Sequence, residues 1–195
     1  TNCTFTNTTA GDNGGGMYNS HSSSPTLTKC TCESNFSRFI GAGMSNYVDS
    51  SPTLTNCAVE NNIGDQDGGG MLNYSNSNPT LTYCTFTNNT ATDHGGGMYN
   101  LNDGSIPTLT DTTVCGNTPD QIHGNWDDNG GNTVEDECPI DCPPDINGDG
   151  IVNVNDILIL IGNWGSNSEI GDVNNDGIVD VTDLLIVVGN WGPCP

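Results

Sequence analysis

A 27-residue repeat is the feature of this sequence that most restricts its fold. Four sets of residues follow this period, with one step of 28 between Pro79 and Pro107: Pro25, Pro52, Pro79 and Pro107; Cys3, Cys30, Cys57 and Cys84; Met17, Met44, Met71 and Met98; and Asn19, Asn46, Asn73 and Asn100. A period of this size indicates a solenoid, a propeller or an array. The unit is too short for a propeller blade and lacks the helix-forming runs of a two-helix repeat. Its Thr, Asn, Ser and Gly residues between short apolar alternations predict strands and tight turns.

One coil of a right-handed parallel β-helix fits this unit, with three short strands and three bends in each coil. We expect about 4.5 coils of 27 residues over residues 1–128, stacked at the usual strand spacing of about 4.8 Å. Identical side chains then form ladders, in which Asn amides bond to their copies above and below. One further Asn ladder is predicted from Asn35, Asn62, Asn89 and Asn117. Gly16, Gly43, Gly70 and Gly97 predict a bend with positive φ or close backbone approach.

The repeat also resembles known proteins. The run S-x-T-L-T-x-C-x-F, with G-G-G-M-Y-N, resembles the repeats of secreted bacterial β-helix and adhesin-type proteins over residues 1 to about 128. The resemblance implies an extracellular, secreted or cell-surface location. It specifies the fold better than the function, because one fold supports many functions.

The charge of the chain excludes several classes of partner. Two basic residues stand against 24 acidic ones, which gives a net charge of −22. Nucleic acids and anionic membrane faces require Lys and Arg to neutralise phosphates, so neither is an expected partner. No apolar run is long enough to span a membrane. Divalent cations are the natural counterions, and a polysaccharide ligand is compatible with this composition.

Nine cysteines in such a chain indicate an oxidising environment. The four in-phase cysteines are expected to form one inward column of thiols, because their parallel Cβ vectors keep the sulfur atoms apart. Cys32, in the phase of Phe5, is expected to be buried as well. Four cysteines remain, and they allow three pairings. Cys142 and Cys194 bracket the C-terminal segment, which favours Cys142–Cys194 together with Cys115–Cys138.

Two twelve-residue segments with the spacing D-x-N-x-D-G-x5-D predict calcium loops, at residues 145–156 and 172–183. Oxygen ligands are needed at loop positions 1, 3, 5, 9 and 12, a backbone carbonyl at position 7, and Gly at position 6 for the sharp turn. The predicted ligands of two Ca²⁺ ions are Asp145, Asn147, Asp149, Ile151 (carbonyl), Asn153 and Asp156 in the first loop, and Asp172, Asn174, Asp176, Ile178 (carbonyl), Asp180 and Asp183 in the second.

An apolar run that predicts a helix follows each loop, and each ends at Gly-Asn-Trp-Gly. This duplicated loop–helix unit resembles type I dockerin, a calcium-dependent module that plugs into cohesin domains on the scaffolds of polysaccharide-degrading assemblies. The resemblance covers residues 142–195 and implies a cohesin-like scaffold domain as partner. The expected organisation is therefore a β-helix at 1–128, an acidic Cys/Pro linker at 129–143 and a dockerin-like module at 144–195.

The sequence predicts no enzyme. A calcium-assisted polysaccharide lyase needs a basic proton acceptor beside the metal, and the only basic candidates are Lys29 and Arg38, in unrelated repeat phases. Asp65 and Asp67 could serve a glycosidase, but Asp before a Gly-rich bend commonly stabilises the turn. The three histidines do not share a repeat phase, so no histidine site is implied.

Two functions stay open at this point. The first is an extracellular, calcium-binding structural protein that stacks head to tail with copies of itself into a filament or surface layer, with the dockerin-like module as the junction. The second is the C-terminal part of a secreted carbohydrate-active protein that is anchored to a cohesin-type scaffold. We expect the first if Thr1 is a mature N-terminus, and the second if further coils precede it.

Overall fold

The computed structural model describes residues 1–101, 104–138, 142–148 and 150–194. The chain divides into two compact units, Thr1–Cys138 and Pro139–Pro195. The first is built from parallel strands, and the second contains two helices and a short antiparallel pair of strands.

The first unit is a stack of about four coils, each with four short strands. The strands of the first two coils are β1 (Thr4–Thr6), β2 (Thr9–Ala10), β3 (Met17–Ser20), β4 (Thr26–Thr28), β5 (Thr31–Glu33), β6 (Phe36–Ser37), β7 (Met44–Tyr47) and β8 (Thr53–Thr55). Those of the next two coils are β9 (Ala58–Glu60), β10 (Ile63–Gly64), β11 (Met71–Tyr74), β12 (Thr80–Thr82), β13 (Thr85–Thr87), β14 (Thr90–Ala91), β15 (Met98–Asn100) and β16 (Thr108–Thr110). The stack ends with β17 (Thr113–Cys115), β18 (Ile122–His123), β19 (Asp127–Asp128) and β20 (Thr133–Glu135).

These strands form four parallel sheets, in which each strand pairs with its counterpart one repeat away. Met44 pairs with Met71, for example, and Leu54 with Leu81. The prediction of three strands per coil is therefore corrected to four. The extra strand has only two residues per coil, such as Phe36–Ser37, which is too short to show an alternation in the sequence.

Glycine is required in the Gly-rich bends for two different reasons. The first Gly of each run adopts positive φ, as at Gly41 and Gly68. The third Gly of each run, for which the repeat predicts positive φ or close backbone approach, lies against the coil above it: a Cβ on Gly16 would lie 2.6 Å from the carbonyl oxygen of Gly43. Close approach between coils is therefore the reason for glycine in that column.

The core of the solenoid consists of columns of identical or similar side chains. The fully or nearly fully buried members include Leu54, Leu81 and Leu109; Met44, Met71 and Met98; and Val59, Phe86 and Val114. The predicted thiol column is confirmed, because Cys30, Cys57 and Cys84 are buried and free, and Cys3 continues the column at its half-buried end. Each thiol in the column also takes part in the backbone hydrogen bonding, as Cys57 Sγ accepts from the Cys30 N–H at 3.4 Å.

Two ladders of buried asparagine amides run through the stack as predicted. In the first, Asn35 Nδ2 donates to Asn62 Oδ1 at 3.0 Å, and Asn62 Nδ2 donates to Asn89 Oδ1 at 2.9 Å. Asn62 Oδ1 also accepts from the Asn35 backbone N–H at 3.0 Å. Gln121 ends this ladder, since its Oε1 accepts from Asn117 Nδ2 at 2.8 Å. The second ladder comprises Asn19, Asn46, Asn73 and Asn100.

The last coil is shorter than the repeat predicts. A repeat of 28 residues would predict Trp126 over Met98, but Met98 pairs with Ile122 and Tyr99 with His123, so that placement is wrong. The register breaks there because the chain takes fewer residues to return to the same sheet. Trp126 nevertheless packs, half-buried, against the core.

The first unit also extends beyond the predicted boundary at residue 128. Strand β20 pairs with β17, and Cys138 is bonded to Cys115. Residues 129–138, which were predicted as part of the linker, therefore belong to the solenoid unit. Their acidic, Gly-containing composition is typical of a linker, although strand β20 within them is paired with β17.

The second unit holds β21 (Ile151–Val152), α1 (Val154–Gly162), α2 (Val181–Gly189) and β22 (Gly192–Pro193). Each helix starts at a capping box, with Asn153 or Asp180 as N-cap and an Asp at the third helical position. Val152, Leu160, Val179 and Val187 form its small core. Neither helix, nor any other in the described ranges, has the length and apolar character needed to cross a membrane.

We predict that Asn62→Ala lowers the free energy of unfolding of the solenoid by about 3 kcal/mol, since the buried Asn35 backbone N–H and amide group lose their acceptor. Thr80→Ala, at an exposed position in the same sheet stack, should change it by less than about 0.5 kcal/mol. Urea unfolding of both variants, followed by circular dichroism, checks this. Equal midpoints for the two variants would contradict the role of the ladder.

The thiol column makes the fold sensitive to alkali. Burial raises the pKa of the Cys84 thiol to about 11, against an ordinary value of 9.0. The unfolded chain therefore loses this proton first, so stability is full below pH 9 and is lost as the pH rises towards 11. Thr112 occupies the same phase one coil later, where its Oγ1 accepts from the Cys84 N–H, so Thr is a matched replacement.

We predict that Cys84→Thr reduces the loss of stability between pH 8 and pH 10 by about 1 kcal/mol relative to the unchanged chain. Urea unfolding at the two pH values measures this difference. An equal loss in both proteins would show that the Cys84 thiol does not titrate in this way.

Candidate functional site

A hydrogen bond to the side chain of its first residue closes the first predicted calcium loop. Asp145 Oδ2 accepts a hydrogen bond from the Gly150 N–H at 2.7 Å, and Gly150 has a φ of +82°. The carbonyl of Ile151, a predicted ligand, accepts from Asn153 Nδ2 at 3.0 Å. The predicted ligand Asp149 lies outside the described residues. This loop thus makes the tight turn at position 6 that the spacing predicts.

The second loop has the same closure and is described throughout. Asp172 accepts from the Asp176 N–H at 3.1 Å through Oδ1 and from the Gly177 N–H at 2.8 Å through Oδ2. Asn174 Oδ1 also accepts from the Asp176 N–H, at 2.9 Å. Gly177, at position 6, has a φ of +94°. The side-chain oxygens at positions 1 and 3 therefore point towards the interior of the loop.

The aspartate at position 12 ties each loop to its helix. Asp156 accepts from the Asn147 N–H at 3.1 Å and from the Asn153 N–H at 2.8 Å. Asp183 makes the equivalent bonds to the Asn174 and Asp180 N–H groups, at 3.1 and 2.8 Å. Both side chains are fully buried.

Two opposing effects act on Asp183. Its burial disfavours the charged form, but hydrogen bonds from the backbone N–H groups of Asp180, Asn174 and Val173 outweigh this and lower its pKa. The carboxylate is therefore ionised at neutral pH and holds negative charge inside the loop.

The predicted ligands that the structure describes lie on the two loops, but they are not drawn together into one group. In the ranges that the structure describes, no three His, Cys, Asp or Glu side chains are grouped so that they could hold a metal ion. The carboxylates accept hydrogen bonds from the loop backbone instead, as Asp176 Oδ1 does from the Ile178 N–H at 3.1 Å. Asn153 and Asp180, predicted ligands at position 9, act as the helix N-caps.

Exposed apolar side chains form a stripe on each loop–helix repeat. The first stripe consists of Val154, Leu158, Ile161 and Trp164, and the second of Val181, Leu185, Val188 and Trp191. Leu158 and Leu185 expose 62% and 66% of their surface, which is unusual for leucine. The spacing of four and then three residues places Val154, Leu158 and Ile161 on one side of α1, and Val181, Leu185 and Val188 on one side of α2. Trp164 and Trp191 follow just beyond the ends of the two helices. We call these two sets the apolar stripes.

Both disulfides predicted from the sequence are formed. Cys115 bonds to Cys138 in the first unit, and Cys142 bonds to Cys194 in the second. Cys115 stands in the register of Thr87 and is buried. The second bridge joins the segment before the first loop to the segment after α2 and so closes the second unit.

The solenoid surface carries a cluster that the sequence analysis missed. His94, His123 and Tyr99 lie together, with ring centroids 4.5 Å apart for the two histidines and 5.4 Å apart for Tyr99 and His123. His94 pairs with Asp67 and His123 with Asp120. The 27-residue spacing of Asp67 and His94 is visible in the sequence, whereas the position of His123 depends on the shortened last coil.

The basic residues do not join this cluster in the structure. Lys29 occupies a left-handed corner, with a φ of +53°, in a column with Asn56 and Tyr83. These three residues border a shallow groove of about 300 Å³. Arg38 is exposed on a different side of its coil, after strand β6.

Comparison with known proteins concerns the solenoid. The family model described as "right handed beta helix region" matches residues 1–119. No curated protein and no solved structure was found to match the chain. Because the match covers more than half of the sequence, the chain belongs to the right-handed beta helix family.

Proposed function

We propose that this member of the right-handed beta helix family is an extracellular calcium-binding structural protein, in which the loop–helix unit joins the solenoid to a partner. The observation that carries the proposal is the duplication in the second unit. Each of its halves combines an acidic twelve-residue loop, a glycine with positive φ at position 6, a buried aspartate at position 12 and an exposed apolar stripe. The disulfides and the acidic composition fit an oxidising, extracellular environment.

The loops suit calcium in the type of their donors. Carboxylate, amide and carbonyl oxygens are the ligands that Ca²⁺ takes, with six to eight in a flexible arrangement. In the second loop, Asp172, Asn174 and Asp176 would hold the ion from its N-terminal half, and Asp180 and Asp183 from its helical half. The first loop offers the corresponding residues. A bound ion would supply positive charge that neutralises the carboxylates of its loop.

The residues of the chain itself prepare this arrangement. The hydrogen bonds from the Asp176 and Gly177 N–H groups to Asp172 curl the loop and turn its side-chain oxygens inward. Asp183 is ionised and fixed by its capping role, so its charge is present before any ion arrives. Four carboxylates in one twelve-residue loop repel each other, and a divalent cation would remove that repulsion.

We predict that the full chain binds two Ca²⁺ ions, one in each loop, and that circular dichroism of the helices weakens in EDTA. The double variant Asp172→Ala, Asp176→Ala should bind one ion fewer, because it lacks the ligands at positions 1 and 5 of the second loop. Glu169→Gln, an exposed acid between the two repeats, is the matched control and should bind both. Isothermal titration calorimetry gives the stoichiometry. A value near zero for the unchanged chain, or no difference between the variants, would refute the calcium sites.

The apolar stripes point to a protein partner. Eight large apolar side chains in two repeated sets are exposed on a unit of fewer than sixty residues, and exposed apolar patches mark interaction sites. The helices carry no Lys or Arg, and the whole chain has a net charge of −22. Copies of this chain therefore repel each other, which favours a different, less acidic partner. The resemblance to dockerin implies a cohesin-like scaffold domain as that partner.

A second candidate function is the head-to-tail filament. Strands β18, β19 and β20 are edge strands of three of the parallel sheets, and sheet edges can pair with another chain. Asp127, Asp128 and Glu135 are exposed on these strands, so calcium would be needed to lower the repulsion between copies. If the chain belongs to a carbohydrate-active protein that is anchored to a scaffold, the loop–helix unit is the same junction as in the first candidate. The two functions then differ only in what is attached to the solenoid.

We predict that Leu158→Asp together with Leu185→Asp abolishes binding to a type I cohesin domain in millimolar calcium, because each change places a charge inside an apolar stripe. The matched control, Thr80→Asp together with Thr53→Asp on the solenoid, should leave binding unchanged. Analytical ultracentrifugation of the full chain, alone and with the cohesin domain, separates the candidates. Large assemblies of the chain alone in calcium would favour the filament, and monomers in every mixture would refute both partners.

A further inference from the structure

The cluster of His94, His123 and Tyr99 lies on the solenoid and is separate in sequence from the calcium loops. Asp67 and His94 are 27 residues apart and form a parallel bridge between successive coils. His123 ends strand β18 and pairs in register with Tyr99 of strand β15. The stacking of coils thus brings together side chains from three successive turns of the chain.

Each histidine ring is oriented by a carboxylate. His94 Nδ1 lies 3.0 Å from Asp67 Oδ1, and His123 Nδ1 lies 3.2 Å from Asp120 Oδ2. The other oxygen of Asp120 accepts from the Gly95 backbone N–H, which fixes this carboxylate next to His94. Two Asp–His pairs of the same kind therefore stand side by side.

This pairing determines which ring nitrogen is available. An ionised carboxylate can only accept hydrogen bonds, so Nδ1 must carry the proton in both imidazoles. In the neutral ring, Nε2 then presents its lone pair. Within the described residues, neither Nε2 atom makes a hydrogen bond to the protein, and the two side chains are 52% and 41% exposed.

The two rings are close enough to share one ligand. Their centroids are 4.5 Å apart and their planes are inclined by 52°, so they are not stacked face to face. With metal–nitrogen bonds of about 2.0–2.1 Å, two imidazoles on one ion have ring centres roughly 5 Å apart. Tyr99, with its ring centroid 6.1 Å from that of His94 and 5.4 Å from that of His123, packs beside both and limits their rotation.

We propose that His94 and His123 bind a divalent transition-metal ion, such as Zn²⁺, through their Nε2 atoms. Asp67 and Asp120 act as outer partners that orient the imidazoles, as carboxylates do behind metal-bound histidines. No third metal-ligating side chain is grouped with them in the described part of the chain, so water or an outside ligand completes the coordination. The site therefore has open positions.

This site is chemically distinct from the loops of the second unit. Imidazole nitrogen suits zinc, copper and nickel, whereas the oxygen ligands of the loops suit calcium. Zinc binding at the histidines and calcium binding at the loops can be distinguished in one experiment, because excess calcium occupies the carboxylate-rich loops without competing for imidazole.

The test is calorimetric titration of ZnCl₂ into the full chain in the presence of excess CaCl₂. The unchanged chain should bind one Zn²⁺ ion, and His94→Gln or His123→Gln should abolish this binding. His21→Gln is the matched control: His21 is exposed, but its Nδ1 contacts Ser20 Oγ rather than a carboxylate, so its replacement should leave binding unchanged. Asp67→Asn and Asp120→Asn should each weaken binding by about 10-fold or more. Circular dichroism of each variant checks that the solenoid is intact.

Three results would overturn the proposal: no zinc binding by the unchanged chain, an equal loss in the His21→Gln variant, or binding that survives in the double variant of His94 and His123. The last result would assign zinc to the free thiols or to carboxylates instead.

Discussion

Buried asparagine amides are the interaction on which the solenoid depends. A side-chain amide inside a protein must have its donors and acceptor satisfied, or it costs several kcal/mol. In this chain, Asn35, Asn62 and Asn89 of the first ladder obtain their partners from the coil above and the coil below, so the bonds form only when successive coils are in register. Among the described residues, no buried side-chain nitrogen or oxygen lacks a partner. A shift by one residue would break a whole column at once, and this couples the repeat length to the fold.

The same constraint divides the roles of the side chains. Inward positions are occupied by columns of Leu, Met, Cys and Asn, and the close glycine column leaves no room for a side chain between coils. Outward positions are not bound by these contacts, so they can carry chemistry. The cluster of His94, His123 and Tyr99 is the clearest example, because its two histidines come from successive turns and meet only through the stacking. The second unit has a different basis, since its small core of Val152, Leu160, Val179 and Val187 is supplemented by capped loops and a disulfide.

Periodicity predicts much of this architecture. The spacing of Pro, Cys, Met and Asn was sufficient for the parallel register, both amide ladders and the column of free thiols. Periodicity does not predict the last coil. Fewer residues return the chain to the same sheet there, so Ile122 rather than Trp126 pairs with Met98. The position of His123 depends on that shortening, so the histidine cluster was not visible in the repeat. The two-residue strands were missed because two residues cannot display an alternation. The loops were located from their spacing, but spacing does not determine where a carboxylate points when backbone N–H groups compete for it.

The central claim is that the chain contains two units ordered by different forces, inter-coil amide ladders in the first and acidic loops in the second. Hydrogen–deuterium exchange of the full chain with calcium and with EDTA tests this directly. The account predicts slow exchange at Asn35, Asn62 and Asn89 in both conditions, and faster exchange at Gly150, Asp176 and Gly177 once calcium is removed. Loss of protection in the solenoid on chelation, or unchanged protection in the loops, would contradict it.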